Sequence, residues 1–176
     1  MSRFPLTDRI RAVREAGAVE RCHVIPHIRP YDNARHTYGV CCLLRLLWPE
    51  SPQLVDFALF HDTPERWTGD VPGQVIRNNP DLGAVLKERD REITNLFKLP
   101  CEFDLNEIDF ARFKACDRLD FWLWTFDEEA FGNRHVLNSR GEIERHIFND
   151  PRTPQEVINL MNDFRVEGWR RLPETL

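Results

Sequence analysis

Four side chains in this sequence combine metal-binding chemistry with places where polar groups are costly. His61-Asp62 closes the apolar run Phe57-Ala58-Leu59-Phe60, where an imidazole beside a carboxylate loses its hydration unless each is paired or bound to a cation. The dipeptide alone says little; its setting gives it weight. His36 lies four residues before Val40 and seven before Leu43, on a helical face that should be core. Asp117 lies four residues after Phe113, beside Cys116. Imidazole and carboxylate together suit zinc, manganese, iron, cobalt or nickel and match calcium poorly. Two histidines and two carboxylates leave one or two coordination positions for water and a substrate oxygen. Each residue alone also reads as a satisfied core histidine or a paired aspartate. The set of four, on three helices, is harder to assign that way.

The segments around these residues resemble, in the same order, those of a known family. Asn33-Ala34-Arg35-His36-Thr37 resembles the segment around the first metal histidine of HD-domain phosphohydrolases. His61-Asp62-Thr63-Pro64-Glu65-Arg66-Trp67-Thr68-Gly69-Asp70-Val71-Pro72 resembles their central signature, in which HD is followed by glutamate and then by Gly-Asp and proline. Ala115-Cys116-Asp117-Arg118-Leu119 matches the last ligand segment, alanine-any-aspartate. Gly17-Ala18-Val19-Glu20-Arg21-Cys22-His23 is similar to the arginine segment that reaches phosphate in the 5'-deoxynucleotidase branch. Two groups share the pattern: bacterial 5'-deoxynucleotidases, and small, mostly viral dATP triphosphohydrolases. Both are all-helical homo-oligomers that use a divalent metal.

The resemblance implies a metal (zinc, cobalt or manganese) held by His36, His61, Asp62 and Asp117. It implies Glu65 as the group that orients water or passes its proton, and Arg21 as a phosphate clamp through charge-assisted hydrogen bonds. Asp70 would accept from the sugar 3'-hydroxyl, with Cys22, Val24 and Arg77 as further substrate contacts. The expected activity is hydrolysis of deoxynucleotides, first of all dATP to deoxyadenosine, on the brevity of the chain and its Gly17-Ala18-Val19 approach to Arg21. A 5'-deoxynucleotidase acting on monophosphates is the near alternative, and a non-catalytic metal- and nucleotide-binding regulatory module is the alternative of another class. An intact Glu65 and a vacant coordination position argue against the module. Two departures bear on substrate. Cys22 stands where the nucleotidases place a tryptophan that stacks near sugar and base. Ile76 stands where relatives often place a lysine, with Arg77 next, about a third of a turn away on a helix.

Helix signals place these residues. Thr7 can cap a first helix that Gly17 stops, and Pro26 and Pro30 make residues 21–33 irregular. The spacing predicts a helix from about Asn33 to before Pro49, then a third opened by Ser51-Pro52 and running through Asp62. Thr63-Pro64-Glu65 repeats the cap-plus-proline signature, so the chain should bend just after Asp62. Asn79-Pro80-Asp81 opens a helix carrying Leu82, Val85, Leu86, Ile93 and Phe97, and Asn106 caps a long one carrying Ile108, Phe113, Cys116 and Leu123. Thr153-Pro154-Gln155-Glu156 reads as a capping box for a last helix through Val157, Met161 and Phe164. No sustained alternation and no Asn-Gly or Asp-Gly turn suggests strands. The expectation is one all-α domain, 1–176, of about six to eight helices.

Other features carry less. His23 and His27 are spaced like a helical metal pair, but Pro26 and Pro30 argue against that helix. Phe121-Trp122-Leu123-Trp124-Thr125-Phe126 reads as core or subunit interface rather than a base-stacking platform. Arg165, Arg170 and Arg171 read as a solvated helix end. The five cysteines contain no Cys-x-x-Cys pair, so they are expected to be reduced, small core residues.

With 176 residues, 41% hydrophobic and 30% charged, the chain has the composition of a globular protein. Its net charge of -5 excludes a global basic field that would hold nucleic acid polymer or an anionic membrane. An anionic nucleotide must therefore meet a local cation. No apolar run approaches the roughly 20 residues that span a bilayer, and the opening Met1-Ser2-Arg3-Phe4-Pro5-Leu6-Thr7-Asp8 has no signal-peptide h-region. The expected partners are a small-molecule nucleotide and further copies of the chain, in the cytoplasm, or the host cytoplasm if the source is viral.

Overall fold

The computed structural model describes residues 4–169; Arg170 and Arg171 lie outside them. Among the described residues the chain forms nine α-helices and one short 3-10 turn, with no strand beyond a single antiparallel bridge between Glu20 and Asp32. The helices are α1 (Leu6–Ala16), α2 (Asn33–Leu47), α3 (Pro52–Ala58), α4 (Glu65–Thr68), α5 (Gly73–Asn78), α6 (Pro80–Phe97), α7 (Glu107–Ala130), α8 (Leu137–Asn149) and α9 (Gln155–Glu167). None is long and apolar enough to cross a membrane.

The long α7 is the axis. Asn106 caps it by accepting the Asp109 N–H at 2.9 Å, as its position before a helical pattern predicts. Its Phe113, Cys116, Leu119 and Trp122 form the main core with Val40, Leu44 and Trp48 of α2, Leu54, Phe57 and Ala58 of α3, Ile147 of α8, and Val157 and Met161 of α9. Trp122 and Trp124 are buried, so the aromatic run serves the interior. Two smaller clusters flank this core. Ala12 of α1 meets Ile93 and Phe97 at the end of α6, and Tyr31, Trp124 and Val136 gather on the other side, with the rings of Tyr31 and Trp124 stacked 4.8 Å apart.

Several local expectations need correction. The first helix begins at Leu6, behind Pro5, so Thr7 does not cap it. The box at 153–156 does not close: Thr153 Oγ1 donates to the Ile147 carbonyl at 2.8 Å, and α9 starts behind Pro154. Ser51 makes no side-chain cap to α3. That helix also stops at Ala58, short of Asp62. The His61 ring takes the Ala58 carbonyl at 2.7 Å, the acceptor that the Asp62 N–H would use in a continuing α-helix. Residues 59–64 run instead through tightened turns, with Phe60 N–H to Phe57 O at 3.1 Å and Thr63 N–H to Phe60 O at 3.0 Å. Neither α5 nor α8 was expected. All five cysteines are free, but only Cys116 is buried; Cys22, Cys41, Cys42 and Cys101 are half-buried.

Candidate metal centre

Three helical segments bring the polar residues of the core together. α2 is capped by Asp32, which accepts the Arg35 N–H at 2.8 Å, and this fixes His36 one turn in, fully buried at 0% exposure. α7 presents Asp117 against it, with His36 Nε2 3.1 Å from Asp117 Oδ1. The turn after α3 brings His61 and Asp62. One nitrogen or oxygen from each of His36, His61 and Asp117 lies within 4.8 Å of the others. Asp62 Oδ2 sits 2.9 Å from His61 Nε2 and 3.8 Å from His36 Nε2. It also takes an ion pair from Arg21 at 2.6 Å.

The two histidines are prepared alike. His61 donates from Nδ1 to the Ala58 carbonyl, and its buried Nε2 has no hydrogen-bond partner, Asp62 being near in distance but off the bonding direction. His36 donates from Nδ1 to Asp120 Oδ2 at 2.8 Å. In both, the far nitrogen turns toward the carboxylates, as histidines that ligate metals do. A buried, unpartnered imidazole nitrogen among carboxylates is costly unless a cation completes it. The donor set therefore fits a divalent transition metal.

The charges follow from burial and neighbours. Burial pushes the Asp62 carboxyl up, but His61 and Arg21 outweigh it and hold it well below the usual range. Burial also opposes ionisation of Asp117, yet Lys114 and His36 keep it well below that range; Lys114 Nζ is 2.5 Å from Asp117 Oδ2. Burial and the Arg21 charge lower the His36 pKa, while its bonds to Asp117 and Asp120 win and lift it to about 9. Glu65 goes the other way. Burial first, then the Asp62 charge, push its carboxyl up to about 8 against the pull of Arg21.

Arg21, Asn33, Asp62 and Glu65 form one network. Arg21 reaches Asn33 Oδ1 at 3.1 Å, and Asn33 Nδ2 donates to Glu65 Oε2 at 2.8 Å. The Arg21 Nε is buried without a hydrogen-bond partner. Arg21 stands on a loop whose base is clasped by backbone bonds, Arg21 N–H to Tyr31 O at 2.7 Å and Asn33 N–H to Val19 O at 3.0 Å. The loop is pinned further out by buried Glu128, which accepts the Ile28 and Arg29 N–H groups at 2.7 and 3.2 Å. Cys22 holds a left-handed backbone (φ 56°), and its N–H donates to Asp70 Oδ2 at 3.0 Å. Burial pushes its thiol up to about 12, so it is no nucleophile at neutral pH.

The structure thus gathers Arg21, His36, His61, Asp62, Glu65 and Asp117, with Cys22 and Asp70 joined beside them. Val24 is exposed near the loop tip. Arg77 is exposed and lines a separate cleft of about 550 Å³ with Arg118 and Arg145. His27 bonds the Ile25 carbonyl and Glu20, and His23 is exposed, so they form no metal pair. Arg165 pairs with Glu144. Sequence reasoning missed Asn33, taken only as a helix start, and Asp120 with Tyr31. Asp120 lies one turn after Asp117, and that spacing was the signal available.

No family model matches the sequence, and no curated protein matches it. Solved structures do. The cyanophage S-2L HD phosphohydrolase DatZ, bound to dA and one catalytic Zn2+ ion, aligns over 95% of this chain and 98% of its own, with a TM-score of 0.66 at 22% identity. An HD-domain phosphohydrolase from Listeria innocua aligns over 92% of this chain and 88% of its own, with a TM-score of 0.75 at 16% identity. The chain has the HD-domain phosphohydrolase fold. A Pyrococcus horikoshii protein shares this HD fold over 89% of this chain and 96% of its own, with a TM-score of 0.67 at 18% identity. The all-helical HD architecture expected from the segment order is therefore present along nearly the whole chain.

Proposed function

We propose that the chain acts as one domain and is a metal-dependent phosphohydrolase of deoxynucleotides, with dATP, cleaved to deoxyadenosine, as the lead substrate. The observation that carries this reading is buried His36 and half-buried His61, whose Nε2 atoms converge on Asp117 and Asp62 beside a raised carboxyl, Glu65. His36, His61, Asp62 and Asp117 would hold zinc, cobalt or manganese. Such an ion supplies a Lewis acid for a phosphate oxygen and eases deprotonation of a water.

The remaining work falls to side chains. Arg21 anchors its Nη1 on Asp62 and Asn33, so its Nη2 can hold a phosphate oxygen without leaving that anchor. Glu65, steered by Asn33 and raised to about 8, is tuned to take a proton from water or return one near neutral pH. Asp70 keeps one oxygen on the Cys22 N–H and offers the other to a sugar hydroxyl. The DatZ neighbour's bound dA supports a deoxyadenosine ligand for the same fold.

One observation favours the second reading, a 5'-deoxynucleotidase. Arg77 lies with Arg118 and Arg145 in its own cleft, apart from the cluster around Arg21, and a single arginine suits a single phosphate. A screen of dATP, dAMP and the other deoxy- and ribonucleotides with added zinc, cobalt or manganese decides between them. Release of triphosphate from dATP supports the lead reading, and turnover of monophosphates alone replaces it with the second. Binding without any turnover would make the chain a regulatory module. Homo-oligomerisation belongs to the same reading, supported by Tyr38 and Leu46, 73% and 81% exposed on α2; sedimentation velocity measures it.

A further inference from the structure

Asp120 has no place in the donor set, yet the interior is arranged around it. Its Oδ2 accepts from His36 Nδ1 at 2.8 Å and from the Tyr31 hydroxyl at 2.7 Å. The same hydroxyl lies 3.1 Å from His36 Nδ1, so the three groups form a closed triangle. Tyr31 is buried, stacked on Trp124, and burial with the Asp120 charge keeps its hydroxyl neutral, so it can only donate to the carboxylate. Across the gap, α2 has Gly39 three residues after His36. A Cβ built there would stand 1.8 Å from Asp120 Oδ1, so the helix carries glycine where the carboxylate must enter. Gly39 is not in a left-handed conformation. Space, rather than backbone freedom, explains it.

His61 needs nothing comparable, because the Ala58 carbonyl of its own turn fixes its ring. His36 sits inside a regular helix, where the carbonyls one turn back are already taken. An outside acceptor must therefore set which nitrogen carries the proton and how the ring is turned. We propose that Asp120, seated by Gly39 and steadied by Tyr31, is a positioning residue that orients His36 as a metal ligand and keeps its Nε2 free for the cation. The inference rests on the metal-site reading given above. A carboxylate behind a ligating imidazole fixes its tautomer and raises its basicity, and losing such a partner typically weakens metal binding by about 10- to 100-fold.

The test is Co2+ and Zn2+ binding to the full chain, measured by chelator competition and by the visible absorption of bound Co2+. Asp120→Asn should weaken both metals by about 10- to 100-fold and change the Co2+ band shape. Tyr31→Phe, which keeps the carboxylate and removes one hydroxyl, should weaken binding less and in the same direction. It also serves as the informative variant if Asp120→Asn does not fold. A structural role alone would lower the melting temperature and leave affinity and spectrum as in wild type; that result in the folded variants overturns the inference. Wild type that binds no divalent metal overturns both this inference and the metal-site reading. Wild type that binds Co2+ without hydrolysing any nucleotide removes the proposed activity, while weaker binding by Asp120→Asn still supports the role of Asp120.

Discussion

The seam between α2 and α7 and the arm formed by α5 and α6 are both helical, but they are held by different means. Along the seam, His36, Asp117, Asp120 and Tyr31 each meet two or more partners at once, Gly39 leaves the room Asp120 needs, and His36 is wholly buried. Along the arm, the 18 residues of α6 bury only Ile93 and Phe97, at its end. Val85 is 66% exposed, and α5 leans on α6 chiefly where Ile76 overlies Gly83. Precise placement of polar groups needs surrounding packing that locks their rotamers. The seam provides that; the arm offers a surface free to vary.

The sharpest way to break this contrast is at the turn feeding the seam. His61→Ala or Asp62→Ala should abolish metal binding and hydrolysis together, read by metal retention after gel filtration and by product release. A variant near wild-type turnover would remove the site. Next in size, Glu65→Gln should keep metal and nucleotide while losing about 10² or more in rate, roughly 3 kcal/mol in the barrier.

Glu65→Gln also changes the pH dependence of stability. In chelator-treated wild type the folded carboxyl keeps its proton up to about pH 8, whereas a free glutamate loses it near 4.5. The unfolded chain thus releases that proton first, and stability falls as pH rises from about 4.5 to about 8. Glutamine removes that slope. Denaturant melts should therefore show the variant gaining on wild type across that window and matching it below.

Smaller effects sharpen the comparison further. Arg21→Ala should lower kcat/KM by roughly 10- to 200-fold, the loss of a hydrogen bond to a charged group. Arg77→Ala, on the arm, should impair dATP turnover more than dAMP turnover under the lead reading. An equal loss on both would place Arg77 outside phosphate recognition. The smallest effect belongs to Val85→Ser, which should leave stability within about 0.5 kcal/mol and activity unchanged. A larger loss would show that something covers the arm in solution.

The same contrast sets what could be read from the sequence. The seam was legible because polar residues break an apolar period there, and this pattern survives in one dimension. The all-helical architecture followed from prolines, caps and spacing. The α6 helix of the arm was also read correctly, but its period did not show how little covers it; α6 leaves Leu82 and Val85 exposed and Leu86 only half-buried. The end of α3 was missed because it depends on a side chain, the His61 ring, taking a backbone acceptor. Asn33 and Asp120 were missed because their roles arise from partners in other elements, Arg21 and Glu65 for one and His36 and Tyr31 for the other.

The loop from Arg21 to Tyr31 is closed at its base by main-chain bonds and held midway by Glu128 gripping two main-chain amides. None of these attachments depends on which side chains the tip carries, provided residues 28 and 29 keep their N–H groups. Val24 and Ile28, both exposed there, can therefore be exchanged without re-aiming Arg21 at one end or Tyr31 at the other, whereas Ile25 and His27 pack on the Tyr31–Trp124 cluster and must stay. Under the proposed function, the exposed positions of this loop are a replaceable edge beside the metal site, through which ligand preference can drift over generations while the residues that would hold the metal stay as they are.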